Sequence, residues 1–380
     1  MSWEKVCLGE VTESCLGKML DQAKNKGEYL PYLANVNVRW GSFDLSNLSQ
    51  MRFESHEKER YGLKYGDLVV CEGGEPGRCA IWKEEIPDMR IQKALHRVRV
   101  HDDLDYRYLY YWFLLAGKRG ELEQYFTGAT IKHMPGDKLK KIVIAKPPIE
   151  IQRRIADVLS AYDDLIENNQ KQIKLLEEAA QRLYKEWFFD LRFPGHENTP
   201  IVDGVPEGWK KGPLGAIAQF KRGQVITREQ IHSGDVPVVA GGLEPAYYHD
   251  KANTIAPVIT VSGSGANAGF TRLYDVDVFA SDCSFADCRT TPYLFFVYCL
   301  LKESKIKLNA LQKGSAQPHV YAKDINALSV IVPREETIEL FCHFVSSFFE
   351  ESKILQRKIE IAKQARDRLL PKLMSGEIEV

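Results

Sequence analysis

Residues 148–187, PIEIQRRIADVLSAYDDLIENNQKQIKLLEEAAQRLYKEW, carry an unbroken hydrophobic period. Ile155, Leu159, Tyr162, Ile166, Asn169, Ile173, Leu176, Ala180, Leu183 and Trp187 follow one another in steps of four and three. That is the 3.5-residue period of a coiled-coil seam, and only Asn169 in it is polar. No Gly or Pro interrupts the run after Pro148. Pro147 and Pro148 suit the first turn, where a missing N–H costs nothing. The spacing predicts one helix of roughly 40 residues, about 60 Å long at 1.5 Å per residue. A single helix of that length with one apolar stripe needs a partner helix.

The chain supplies one. In residues 334–380, Ile338, Phe341, Val345, Phe348, Ser352, Leu355, Ile359, Ala362, Arg366, Leu369 and Leu373 keep the same stepping. The two runs are copies. A shift of 186 residues carries Gly128 onto Gly314, His133 onto His319, Pro147 onto Pro333, Ile173 onto Ile359 and Arg182-Leu183 onto Arg368-Leu369. Asn169 in the seam either fixes the register at some cost in stability or marks a solvated kink.

The duplication extends beyond the helices. Trp3, Lys5, Leu8, Gly9, Val11 and Gly17 match Trp209, Lys211, Leu214, Gly215, Ile217 and Gly223 at an offset of 206. The offset falls along the chain because the first copy has extra residues between about 40 and 70. A period this long is a two-fold duplication, not a solenoid. Segments rich in Val, Tyr and Ile read as strands: YLPYLANVNV, DLVVCE, CAIWK and LHRVRV in the first copy, VPVVAGG, APVITVS and NAGFTRLYD in the second. Helices are expected at 106–116 and 292–303, and glycine-rich turns at 71–79 and 262–269.

The organisation expected is a globular domain at 1–147, a spacer helix at 148–187, a Pro/Gly-punctuated linker at 188–208, a second globular domain at 209–333 and a second helix at 334–380. The fold class is α+β: two pseudo-two-fold related mixed domains joined by two long helices that form an antiparallel coiled coil. The second helix has a short route back along the first, so the C-terminus should come to rest near the first domain.

Composition bounds the function classes. At 380 residues, 44 % hydrophobic and 27 % charged, the profile is an ordinary globular one. No apolar run is long enough for a membrane span, and MSWEKVCLGE lacks a signal-peptide layout. The eight cysteines form no CxxC pair, so reduced thiols in a cytoplasmic protein are expected and no metal site is. Net charge is −1, nearly balanced in each globular segment. Any positive footprint must come from the placement of charges, not from their number.

No catalytic constellation is present. There is no GxxxxGK[ST] loop and no GxGxxG opening a helix. SGSGANAG at 262–269 is followed by strand-like FTRLYD and reads as a hairpin turn. There is no Asn-Pro-Pro-aromatic or Asp-Pro-Pro-Tyr motif of an adenine methyltransferase. Pro87-Asp88 lacks the later acid-x-Lys of a nuclease metal site. The nine histidines make no HxxxH or HExxH pair, and Ser262 and Ser264 have no identifiable base. Binding fits better. Candidate nucleic-acid contacts in loops are Arg78, Lys132 and His133 in the first copy, and Lys221, Arg222, Arg289, Lys313 and His319 in the second. Arg can grip guanine bidentately and Lys can neutralise phosphates. His133 and His319 are equivalent across the repeat. Arg182 and Arg368 are matched too, but as helix residues they suit contacts within the rod or with a partner.

The phrase IVIAKPPIEIQRRIADVLSAYDDLIENNQKQIKLLEEAAQRLYKEWFFDLRFPG resembles the central conserved region of specificity subunits of type I restriction–modification systems. VPEGWKKGPLGAIA resembles a common opening of their target-recognition domains, and RDRLLPKLMSGEIEV their distal conserved region. The resemblance covers the whole chain in the family's order. It implies a non-catalytic reader of double-stranded DNA in the cytoplasm of a bacterium or archaeon. Such a subunit docks two methyltransferase subunits and then restriction/translocase subunits. The chain itself would bind no cofactor; the partners would bring S-adenosylmethionine, ATP and magnesium. The two dissimilar domains imply an asymmetric bipartite target, with half-sites about 34–36 Å apart or a multiple of that. Two rival readings stand beside this one: a coiled-coil adaptor presenting two protein-binding modules, and a self-sufficient nuclease or methyltransferase.

Overall fold

The computed structural model describes residues 3–21, 25–314 and 317–380. The chain folds as two compact units, one of Met1–Glu167 with Glu360–Val380 and the other of Asn168–Ile359. The division therefore falls inside both long helices, which run Ile149–Tyr184 and Glu335–Ser375. No helix among the described residues is long and apolar enough to cross a membrane.

Among the described residues the first unit contains four sheets, one of them a short two-stranded hairpin. Glu4–Cys7 pairs antiparallel with Val143–Lys146. A four-stranded antiparallel sheet has the order Thr12–Leu16, Leu95–Val100, Leu68–Cys71, Cys79–Ile81. A three-stranded sheet has Glu28–Leu33 in the middle, antiparallel to Ser49–Phe53 and parallel to Arg90–Ile91. The strand Leu68–Cys71 shows why this arrangement holds. All four of its side chains are buried. Leu68 and Val70 enter a core with Tyr108, Leu109 and Phe113 of the helix Tyr106–Lys118, while Val69 and Cys71 enter another with Leu33, Trp82 and Ile91. The two-residue alternation of a strand thus serves two cores.

The second unit repeats the plan. Lys210–Pro213 pairs antiparallel with Ser329–Val332. The four-stranded sheet runs Lys221–Arg222, Cys283–Asp287, Val258–Ser262, Thr271–Tyr274, all antiparallel. Val236–Val239 is antiparallel to Tyr247–His249 and parallel to Phe279–Ala280. Ile259 and Val261 face the core shared with the helix Leu294–Glu303, and Val258 faces a smaller one. The first unit has an added hairpin, Val38–Arg39 with Ser42–Phe43, near the expected extra residues. Segment 188–208 is packed down: Phe188, Phe193 and Val205 are buried, and the Phe193 ring lies 4.8 Å from that of Trp209.

Each unit is completed by a segment of both long helices. In the first, Ile155 and Leu159 share a core with Leu370, Leu373 and Met374. Arg366 donates to Asp163, which also accepts the Tyr111 hydroxyl at 2.6 Å. Arg154 donates to a backbone oxygen of Val380 at 3.2 Å, so the last residues lie in this unit. Partner numbers fall as first-helix numbers rise, so the two segments are antiparallel. Gln152, fully buried, ties the helix start to the domain. Its Oε1 accepts the Asp105 N–H at 2.9 Å, and its Nε2 donates to the Pro147 carbonyl at 2.8 Å. Asp105 in turn caps the helix Tyr106–Lys118.

In the second unit Ala180 and Tyr184 pack on Ile338, Phe341 and Val345. The α-helix ends at Tyr184 and continues as a π-helical turn, Lys185–Phe189. That turn replaces the regular end expected at residue 187. It brings adjacent Trp187 and Phe188 both inward, their rings 5.9 and 5.2 Å from Phe341.

The seam positions divide by depth. Ile155, Leu159, Ile166, Asn169, Phe341, Val345, Leu355 and Ile359 are buried; Tyr162, Ile173, Leu176, Leu183, Phe348 and Leu369 are half-buried. Near the helix ends Ala156, Tyr184 and Leu370 are buried as well. There a domain packs on the helix besides its partner, so the covered arc is wider than a two-position stripe. The polar seam residue Asn169 is 3 % exposed, and its amide nitrogen has no hydrogen-bond partner among the described residues.

An unsatisfied buried amide nitrogen costs about 1–3 kcal/mol. Asn169→Leu is therefore expected to raise the unfolding free energy by about that amount, seen as a higher urea midpoint at unchanged slope. A lower midpoint would mean that the amide makes a bond the fold needs.

Candidate nucleic-acid interface

In both units the central strand of the four-stranded sheet leads into a glycine-rich turn. The turn after Leu68–Cys71 holds Gly74 and Gly77 at φ 74° and 89°; the turn after Val258–Ser262 holds Gly265 and Gly269 at φ 78° and 90°. A left-handed backbone favours glycine. Both turns join antiparallel neighbours, so SGSGANAG is a hairpin connection.

A second loop lies against each turn. Thr127 and His133 exchange both backbone hydrogen bonds, at 2.7 and 2.9 Å, and Gly128 turns the loop at φ 91°. Lys313 and His319 do the same at 2.9 Å each, with Gly314 at φ 97°. His133 is bridged to Gly73 and His319 to Ser264, so each histidine joins its loop to its turn. The His133 ring lies over Gly73, where a Cβ would come within 2.9 Å of Nδ1.

The match is detailed. Glu72 donates to Ala94 O at 2.8 Å, as Gly263 does to Asp282 O at 3.1 Å. Met134 donates to Glu72 O at 2.7 Å, as Val320 does to Gly263 O at 3.0 Å. Gly17 donates to Leu95 O at 2.9 Å, as Gly223 does to Cys283 O at 2.7 Å. These bonds fix structural equivalents: Leu16 with Arg222, Gly73 with Ser264, Ala94 with Asp282. One backbone frame thus presents different side chains in the two units. In the second unit, Arg222, Ser264, Asp282, Ser284, His319 and Lys323 line a cavity of about 500 Å³. In the first, Trp40, Glu75, Phe126, Thr130, Ile131 and Lys132 line one of about 510 Å³.

The candidate cations fall into three situations. Arg222 is exposed, has no ion-pair partner among the described residues, and lines the same cavity as His319. Lys221 is also exposed, and as its strand neighbour it leaves the opposite face. Lys132 and Lys313 lie on the matched loops with acidic neighbours, Lys132 3.5 Å from Glu123 and Lys313 2.8 Å from both oxygens of Asp324. Arg78 is engaged inside the fold, whereas Arg289 stays exposed with its guanidinium tied to a buried acid. Arg78 holds the glycine-rich turn through Glu75 at 2.9 Å and the Asn35 carbonyl at 3.1 Å. Arg289 neutralises buried Asp287, bonding it through Nε at 2.9 Å. Burial pushes the Asp287 carboxyl up, but bonds from Arg289 and the Ile255 N–H outweigh it and hold it below the usual carboxylate range.

Other residues of the frame carried no signal in the sequence. Tyr321 stacks on His319 at 5.9 Å and 10°, with the Lys323 ammonium 6.0 Å from its ring. Asp282 faces the cavity, yet its equivalent in the first copy is Ala94, so the repeat did not mark it. Ser264, Asp282 and His319 share the cavity, but Ser264 donates directly to Asp282. No imidazole hydrogen bond links the three among the described residues, so the nucleophile–base–acid geometry of a hydrolase is not built. Glu54, His56 and Glu57 are close enough together to hold an ion, but Glu57 already pairs with Lys18 and accepts the Glu54 N–H.

Comparison with known proteins accords with this frame. The family model described as "Type I restriction modification DNA specificity domain" matches twice, at residues 1–178 and 206–364. The MjaIX specificity subunit of Methanocaldococcus jannaschii, a type I restriction enzyme component, is 28 % identical over 346 residues, 83 % of this chain and 78 % of that one. The MjaVIII specificity subunit of the same organism is 22 % identical over 414 residues, covering all of this chain and 93 % of its own. The crystal structure of a type I restriction–modification S subunit from M. genitalium aligns with TM-score 0.56 at 19 % identity, covering 98 % of this chain and 96 % of that one. The chain belongs to the type I restriction–modification DNA specificity family, as a recognition subunit and not a catalytic one.

Proposed function

We propose that the chain reads an asymmetric, two-part duplex DNA target, one half-site per globular unit. The observation that carries the reading is the repeated frame. The same hairpin turn and histidine-closed loop occur in both units, and the side chains on them differ. Lys132 and His133 serve one half-site. Arg222, Lys221, Lys313 and His319 serve the other. Arg78 acts behind them, holding the glycine-rich turn of the first unit, while Arg289, paired with Asp287, lies on the surface of the second. Positive charge on such loops attracts phosphates and makes affinity fall steeply with salt.

The long helices suit docking. Leu175, Phe344 and Ile361 leave 63, 50 and 68 % of their surface open. Covering such side chains with another chain is favourable, since it removes apolar surface from water. We assign these faces to the two modification subunits and, after them, the restriction/translocase subunits. S-adenosylmethionine, ATP and magnesium belong to those partners, and the assembly works in the cytoplasm. The continuous helices serve as the ruler that sets the unread spacer.

The reading is tested by binding. Gel shifts with target-bearing duplex, with and without modification subunits, should weaken steeply between low and physiological salt. Salt-independent binding, or none, would favour a protein-binding adaptor. Exchanging residues 209–333 for the domain of another subunit should change one half-site and leave the other intact, as read by methylation mapping of the assembled complex. Inserting seven residues at matched positions of both helices should lengthen the tolerated spacer. Gly128→Ala and Gly314→Ala force an L side chain into a left-handed backbone, with Cβ 2.3 Å from the Ile131 carbonyl oxygen and 2.7 Å from that of Gln317. Each should impair one half-site while melting temperature changes by only a few degrees.

A further inference from the structure

The second unit's cavity contains a group that sits awkwardly beside phosphates. Asp282 is half-buried and lies among Arg222, His319 and Lys323. Its Oδ2 accepts the Ser264 hydroxyl, and its Oδ1 has no hydrogen-bond partner among the described residues. Two glycines pass close beneath it: a Cβ at Gly263 would lie 3.1 Å from Oδ1, and one at Gly241 3.5 Å from Oδ2. Among the described residues no ion pair joins Asp282 to Arg222, so Oδ1 and the Arg222 guanidinium remain available to a ligand. Resting on the reading that this frame faces DNA, we propose that Asp282 is a base-reading acceptor and that the half-site of the second unit contains a cytosine.

The chemistry selects the base. A carboxylate repels every phosphate, so among the groups that DNA presents it gains only from an N–H on a base. In the major groove those are the exocyclic amines of cytosine and adenine. An ionised carboxylate offers acceptors alone. Adenine sets its N7 acceptor beside the amine, and two acceptors repel. Cytosine sets only a C–H beside its N4 amine, so cytosine is preferred. Arg222 then meets the guanine of the same or an adjacent pair, taking O6 and N7 with its planar fork. The Ser264 hydroxyl holds the carboxylate in place, and the same serine is bridged to His319.

The first unit is the internal comparison. Its equivalent positions are Leu16, Gly73 and Ala94, with no acid and no cation. Reading of a cytosine by this acid therefore belongs to one half-site only.

The experiment is sequence selection from a randomised duplex library by the full chain with its modification subunits. The wild type should select a cytosine in the half-site that the 209–333 exchange changes. Asp282→Asn keeps the shape and the bond to Ser264 but adds a donor. It should lower discrimination at that one position about 10-fold or more, with the other half-site and the melting temperature unchanged. Should Asp282→Asn melt early, Arg222→Gln carries the test, since the same or the neighbouring pair must relax. Unchanged selection at every position, by either folded variant, overturns the assignment of Asp282 and leaves the DNA reading standing. A wild type that selects no sequence at all overturns the DNA reading and this assignment together.

Discussion

Everything in this structure depends on two helix segments that close cores far from them in sequence. The first unit's core is built by residues 8–159, yet Leu370, Leu373 and Met374 finish it. Arg366 adds a charge pairing with Asp163, and Tyr111 shares that carboxylate. Arg366 also pairs with Asp367 at 3.0 Å, so removing Arg366 is the costly change: it would leave the partly buried Asp163 carboxylate with the Tyr111 hydroxyl but no counter-charge from that helix. The second unit is closed in the same way by Ile338, Phe341 and Val345 against Ala180 and Tyr184. Each unit is thus a domain plus a pair of helix segments. The end of the chain is structural: Val380 accepts a bond from Arg154, and Gly376 turns beneath Trp3.

That closure gives the loops something stiff to stand on. The strands Leu68–Cys71 and Val258–Ser262 are buried on both faces, and the glycine-rich turns leave directly from them. The second loops are tied to those turns by backbone bonds, which do not depend on side-chain identity. Side chains on the loops can therefore change without disturbing the frame. This division suits recognition: backbone holds the geometry, and side chains select the partner. The two units already show it, with Ala94 and Asp282 on equivalent backbone.

Much of this was legible in advance. The unbroken 4/3 stepping marked both long helices, because a seam must repeat to stay facing its partner. The strands DLVVCE and APVITVS were legible as apolar runs bounded by turns, and His133 and His319 as one position seen twice. The π-helical turn at Lys185–Phe189 was not, because the local pattern continues the helix and only the aromatic cluster around Phe341 diverts it. The inward turn of Arg78 was hidden for a similar reason. Its partner Asn35 is 43 residues away, and nothing local distinguishes it from a surface cation.

The amino-acid sequence by itself determined the duplication, the long helices, the strand segments and the family. The first three rest on periodicity and on repeated motifs, which are local or copied, and the family rests on the resemblance of whole phrases to known specificity subunits. Only the tertiary structure decided which helix segment closes which core, which cations stay free and which acid enters the cavity. Those outcomes turn on contacts between residues tens to hundreds of positions apart, where pairing is set by the packing of the whole unit and no short stretch carries it.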